Sequence, residues 1–175
     1  PVALGRHSGQ SLSTSFGQPV IIANQGGGTG TIGADFVAKA APDGYTFLAS
    51  GVGSNAINYS LYRIIPFADK DFAHVSLLAT GPNVLVVNPE FPAKTFAEFI
   101  APVKANPGKY SHASSGSGSS GHLAMKMLER ASGISLVHVP YKGGGPAITA
   151  TIAGQVPILF INQDNALPQV QGGKL

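Results

Sequence analysis

The chain has 175 residues, 43% of them apolar and only 11% charged, with 23 glycines, 13 prolines, no cysteine and a formal net charge of +3. That supports one core or two small lobes rich in tight turns, and it excludes disulfides and thiol chemistry while leaving the cellular compartment open. The eleven Lys and Arg stand singly with no basic stripe, against nucleic-acid binding, and no apolar run reaches the roughly 18 residues of a membrane-spanning helix.

In chain order, a helical pattern at 6–16 is followed by an apolar run at 19–23 (PVIIA), a helix at 31–41 and a second run at 45–50 (YTFLAS). A helix at 54–62 precedes the runs 75–80 (VSLLAT) and 83–88 (NVLVVN). The second half reads as a helix at 95–105 and strands at 110–114, 136–141 and 156–162, with helices at 120–132, 146–153 and 165–172 between and after them. Short apolar runs alternating with helical patterns predict an α/β fold with mostly parallel sheets, and their near-continuous hydrophobicity predicts strands buried on both faces. Pro42-Asp43-Gly44 closes the helix at 31–41, Gly133 caps the one at 120–132, and Pro102 is expected to kink or shorten the one at 95–105. The runs on either side of Gly81-Pro82 read as a crossing between two lobes, dividing the chain into 1–81 and 82–175. The chain starts inside one helical pattern and stops just after another, which reads as the central fragment of a larger protein.

Gly28-Thr29-Gly30-Thr31-Ile32-Gly33 matches G-x-G-x-x-G, the dinucleotide fingerprint, between an expected strand and a helix. The fingerprint also wants an acid about 20 positions on, and the run ending Leu48-Ala49-Ser50 supplies none. The loop keeps an anion-attracting character without that cofactor, because a helix start presents unpaired N–H groups. The stretch SSGSGSSGHLAMKML, 114–128, has the same grammar. It has no serine at the centre of G-x-S-x-G and no third member of a triad, so its serines read as donors and a helix cap rather than nucleophiles. Leu123, Ala124, Met127, Leu128 and Ala131 are the expected buried face of its helix. Small polar loops recur at Ser50-Gly51-Val52-Gly53-Ser54-Asn55, Tyr141-Lys142-Gly143-Gly144-Gly145-Pro146 and Asn162-Gln163-Asp164-Asn165. In an α/β sheet such loops converge outside the carboxyl ends of the strands. His7, His74, His112, His122 and His138 show no metal-ligand spacing, and the acids form no catalytic pair, so no metal, cofactor or catalytic residue is expected. Packing or surface roles are expected for most of the histidines, with only His122 placed near an anion.

The runs GQPVIIANQGGGTGTIGADFVAKAAPDGYTFLAS, DFAHVSLLATGPNVLVVNP, GKYSHASSGSGSSGHLAMKML, LVHVPYKGGGPAITATIAGQV and NALPQVQGGKL resemble, in order along essentially the whole chain, the periplasmic solute-binding proteins of tripartite tricarboxylate transporters, the Bug or TctC-like family. The resemblance implies a type II periplasmic-binding-protein fold of two lobes with a cleft between them, the first lobe being incomplete here. It implies a monomer in the periplasm that captures a small carboxylate-bearing metabolite and delivers it to membrane permease subunits, without catalysis. Carried over, the ligand-binding candidates are Gly28, Thr29, Gly30, Ser50, Gly51 and Ser54 in the first lobe. In the second they are Ser115, Ser117, Ser119, Ser120, His122, Tyr141, Lys142, Gly143, Asp164 and Asn165. The competing reading is an α/β enzyme holding a nucleotide or phosphorylated substrate at the glycine loops. The missing ribose acid, P-loop lysine and carboxylate pair argue against it.

Overall fold

A computed structural model describes residues 2–175, with side chains from Leu4 onward. The chain divides into two compact units, Pro1–Thr80 and Gly81–Leu175.

The second unit is built on a four-stranded sheet of β1 (Asn83–Val87), β2 (Ser111–Ser114), β3 (Val137–Pro140) and β4 (Ile158–Asn162) in spatial order β1-β4-β2-β3. β2 runs parallel to both β3 and β4, while β1 lies antiparallel on β4 with Asn83 opposite Asn162. The period-2 alternation of strands sorts side chains onto two faces. Ile158 and Phe160 of β4, with Leu85 and Val87 of β1, join a core with Phe91, Phe99, Val103, Met125, Ile134 and Leu136. Leu159 and Ile161, with Val84 and Val86, join a second core with Ala113, Ala147, Ile148, Val156 and Ala166. Helices α4 (Phe96–Ala105) and α5 (Ser120–Ser132) therefore cover one face, and α6 (Gly144–Ile152) and α7 (Gln163–Gln171) the other. β4 is buried on both faces as expected, but β3 is an edge strand and its Val137 is exposed.

Local chemistry sets the helix ends. Thr95 caps α4 by accepting from the Glu98 N–H at 3.2 Å, and Glu98 accepts from the Lys94 N–H at 2.8 Å. Pro102 does not shorten α4, which runs to Ala105 and closes where the Asn106 side chain donates to the Pro102 carbonyl. α5 is capped by Ser119 and ends at Gly133 in the left-handed conformation, φ 64°. Its buried stripe corrects the expected one in part: Leu128 packs against the core and Leu123 and Ala124 are half-buried, but Gly121, Met125 and Glu129 are the buried positions and Met127 is 73% exposed. The phase is set by two backbone approaches. Gly121 presses against the Phe160 carbonyl, and the Glu129 carboxylate accepts from the Leu136 N–H at 2.7 Å while pairing with Lys126 at 2.6 Å.

The first unit differs from expectation. It contains α1 (Val2–Phe16), a 3-10 turn at Gly28–Gly30 leading into α2 (Thr31–Ala38), and a short π-turn at Gly53–Ile57 leading into α3 (Asn58–Leu61). The helix expected over 54–62 is thus a wide turn with one α-helical turn after it. The runs 19–23, 45–50 and 75–80 form no strand among the described residues. A strand needs a ladder partner for its N–H and C=O groups, and these runs have no registered neighbour. Ile21, Tyr45 and Leu77 are 83%, 88% and 78% exposed.

Candidate functional site

Because β2, β3 and β4 are parallel, their carboxyl ends lie at one edge of the sheet, and each is followed there by a helix start. β2 ends at Ser114 and leads through Ser115–Ser119 to α5. β3 ends at Pro140 and leads through Tyr141–Gly143 to α6, and β4 passes directly into α7. Three helix N-termini are thus brought to one edge, an arrangement whose dipoles favour negative charge.

The Ser115–Ser119 loop is the most structured of these segments. Ser119 is buried and accepts from the His122 N–H at 3.3 Å. The Gly118 N–H donates to Nδ1 of His122 at 3.1 Å. Ser114 Oγ accepts from the Gly116 N–H at 3.2 Å and donates to the Gly116 carbonyl at 3.1 Å, and it lies 2.7 Å from Nε2 of His138. A hydroxyl has one proton, so with that proton on the Gly116 carbonyl it is Nε2–H of His138 that donates to Ser114. Gly116 and Gly118 hold φ of 136° and 86°, which lets the chain turn back twice within four residues. Ser120 Oγ donates to the Asn83 side-chain carbonyl at 3.2 Å, tying the start of α5 to the start of β1.

The neighbouring loops are drawn to the same edge. The Tyr141 N–H donates to the Ser114 carbonyl at 3.0 Å, and the Gln163 N–H donates to the Pro82 carbonyl at 2.9 Å. Lys142 is exposed. Asp164 is exposed in the first turn of α7, where the helix dipole favours its charge, and accepts from Asn165 Nδ2 at 3.1 Å.

In the first unit, the Gly28–Gly30 turn and the Ser50–Asn55 segment meet. A Cβ on Gly30 would lie 3.3 Å from Ser54. Ser54 Oγ donates to Asn55 Oδ1 at 2.9 Å and lies 3.1 Å from Ser50 Oγ, and Ser50 also bonds Asn55. Thr29 itself sits at φ 54°, an unusual left-handed position for a non-glycine. The segment before the glycines is not a strand, so the G-x-G-x-x-G run lacks the strand that a dinucleotide fingerprint requires.

Several residues outside the expected set shape these loops. Buried Asn58 donates to Thr31 Oγ1 at 2.9 Å and to the Gly28 carbonyl at 3.4 Å, bracing the glycine turn. The histidines of the second unit, expected to be mostly packing or surface residues, form a stack on the α5 face. His138 lies 4.9 Å from His112 and 3.9 Å from His122, with ring planes within 22° and 10°. His112 and His138 are register partners on adjacent parallel strands, so they project to the same face. The recurrence of a histidine at the second position of β2 and β3 was the available signal. Burial lowers His112 and His138 to about 4, and lowers His122 as well. Among the described residues no group of three His, Cys, Asp or Glu is placed to hold a metal ion, and no helix is long and apolar enough to cross a membrane.

Comparison with known proteins agrees with this architecture. MatC from Rhodopseudomonas palustris, solved with bound malate, is 31% identical with a TM-score of 0.90, covering 98% of this chain and 59% of MatC. An R. palustris protein solved with adipate is 32% identical with a TM-score of 0.95, covering 98% of this chain and 58% of that one. BugT of Bordetella pertussis is 35% identical over 174 residues, 98% of this chain and 53% of BugT. The chain spans about half the length of the curated relatives it matches. These matches define an α/β protein with the fold of periplasmic binding proteins. The model of the tripartite tricarboxylate transporter family receptor, TctC, matches residues 4–175, and the chain belongs to that family of solute-binding proteins.

Proposed function

We propose that this protein captures a small carboxylate-bearing metabolite outside the cytoplasm, in the periplasm, and hands it to the membrane permease subunits of a tripartite tricarboxylate transporter, without chemical change to the ligand. The observation that carries this reading is the convergence of three helix starts and their Ser/Gly loops at the carboxyl edge of β2, β3 and β4. A carboxylate there gains on the order of 1 kcal/mol from a helix dipole, besides charge-assisted hydrogen bonds from N–H and serine O–H groups. Ser115, Ser117 and Ser119 are the proposed hydroxyl donors, Ser120 joining them only by giving up its bond to Asn83, with Lys142 as the nearby full positive charge. In the first unit the proposed contacts are the Gly28–Gly30 turn, Ser50, Gly51 and Ser54. Adipate and malate in the solved relatives support a carboxylate as the ligand class.

The test is a thermal-shift panel of mono-, di- and tricarboxylates alongside nucleotides, run on the intact protein. One carboxylate at 100 times its dissociation constant should add about 2.7 kcal/mol of stability. A nucleotide that stabilises the protein when no carboxylate does would overturn the reading in favour of an enzyme.

A further inference from the structure

We infer that His122 is a pH latch on the Ser115–Ser119 loop, holding the loop's serines in place when its ring is neutral and releasing them when it is protonated. The inference rests on the reading of this loop as part of the carboxylate site, and it names a mode of regulation for that site.

The geometry carries it. A ring nitrogen that accepts a hydrogen bond bears no proton, so the Gly118 N–H on Nδ1 fixes His122 as the neutral ring with its proton on Nε2. Protonation puts an N–H on Nδ1 facing the N–H of Gly118, and the attraction becomes a repulsion. Gly118 is buried and lies directly before the cap residue Ser119, so losing this bond frees the segment that aims the loop at the helix start. The other end of the loop is held independently: His138 donates to Ser114, which binds both backbone groups of Gly116. That bond uses Nε2–H, which both charge states of His138 retain. Acidification therefore removes the Gly118 bond at one end of the loop, leaving there the Ser119 N–H on the Gly116 carbonyl and the cap bond from the His122 N–H, while the bond at the other end survives.

The surroundings determine how the latch titrates. His138 of β3 stacks on the His122 ring, with His112 of β2 behind it. From its own helix Lys126 opposes a positive charge on His122 and Glu129 favours one, but Glu129 is already engaged by Lys126 and the Leu136 N–H. β1 and β4 contribute no titratable side chain. Burial and Lys126 hold His122 below its ordinary value, so the neutral, latched form prevails near neutrality and opening belongs to the acid side.

The experiment has two arms on the intact protein. Without ligand, NMR follows the His122 ring and the Gly118 amide as pH falls from about 7.5 to about 4.5, across the range in which histidine titrates. The two should move with one midpoint, and a Gly118 amide indifferent to ionisation of His122 would overturn the latch. In the second arm, malate and adipate affinities are measured for the parent and for His122→Asn, whose Oδ1 can accept from Gly118 but does not titrate. Taking the ratio at each pH cancels the ligand's own ionisation. Parent affinity should fall relative to the variant by up to about tenfold, the worth of one hydrogen bond. A ratio that stays flat or rises on acidification would overturn the proposal. Should His122→Asn fail to fold, the first arm on the parent decides alone. If neither carboxylate binds at any pH, the affinity arm uses the carboxylate that the thermal-shift panel identifies, and the Gly118 amide still decides the latch.

Discussion

The two units carry similar apolar runs and use them differently. In Gly81–Leu175 the runs pair into a sheet and bury their side chains in two cores, one on each face. In Pro1–Thr80 the runs at 19–23, 45–50 and 75–80 form no strand, and the described apolar residues buried there are Ala34 and Phe67. Composition does not separate the halves. What separates them is whether another strand stands within hydrogen-bonding distance, a long-range property that a run of Val, Ile and Leu does not itself encode.

A pair of identical substitutions tests this contrast most strongly. Leu159→Ala empties a fully buried site in β4, and the expected loss is about 2–5 kcal/mol. Leu77→Ala removes a side chain that is 78% exposed, and the expected change is within about 0.5 kcal/mol. Urea unfolding of both variants measures the difference. A comparable loss at Leu77 would show that the run 75–80 is packed in solution, and the contrast between the units would fail there.

Acid should also act on the units unequally. His112 is fully buried and lowered from 6.5 to about 4, and His138 is lowered to about 4 by burial and by its neighbours His122 and His112. His7 and His74 in the first unit are exposed. Between about 4 and 6.5 the unfolded chain binds more protons than the folded second unit, so stability is complete above 6.5, falls as pH drops through this window and levels off below it. The expected loss is on the order of 2 kcal/mol, water access to His138 discounting its share. Denaturant midpoints across this range, followed by a probe in each unit, should show the loss in the second. Equal loss in both units, or none, would rule out the buried stack as its source.

The second half of the fold was legible in the sequence because its signals are local and mutually consistent. Strand-length apolar runs, Ser119 as cap, Gly133 as stop and short connections all point to parallel α/β units. The Ser/Gly loop and the start of α5 were readable for the same reason. The histidine stack was not, because His112, His122 and His138 are separated by 10 and 16 positions and meet only through the pairing of β2 with β3 and the docking of α5. Asn58 was hidden similarly, since its bonds reach back 27 and 30 positions to the glycine turn. The helical phase of α5 was not legible because Met125 and Met127 are equally hydrophobic and Gly121 carries no apolar signal. The structure instead selects the residue without a side chain, so that the helix can reach the backbone of β4.

Two glycines place that last point on a quantitative footing. A Cβ on Gly121 would stand 2.0 Å from the Phe160 carbonyl oxygen and 2.9 Å from its carbon, both backbone atoms of a central strand. α5 would have to lift away from β4, carrying Ser119 and Ser120 with it and straining the Ser120 bond to Asn83. The expected cost of Gly121→Ala is about 3 kcal/mol, the upper end for overpacking. Gly44, in the turn after Pro42-Asp43, has nothing within 4 Å of its Cβ position and only a φ of 81° to oppose a side chain. Gly44→Ala should cost about 1–2 kcal/mol, the ordinary penalty of a left-handed residue. The expected difference is therefore small, roughly 1–2 kcal/mol, but its consequences are not alike. On the proposed site, Gly121→Ala should also weaken carboxylate binding, because it displaces the helix start proposed to supply the donors, whereas Gly44→Ala should leave affinity unchanged. Calorimetry on both variants separates the two effects. Unaltered carboxylate affinity in a folded Gly121→Ala protein would mean that the close approach of α5 to β4 serves packing alone.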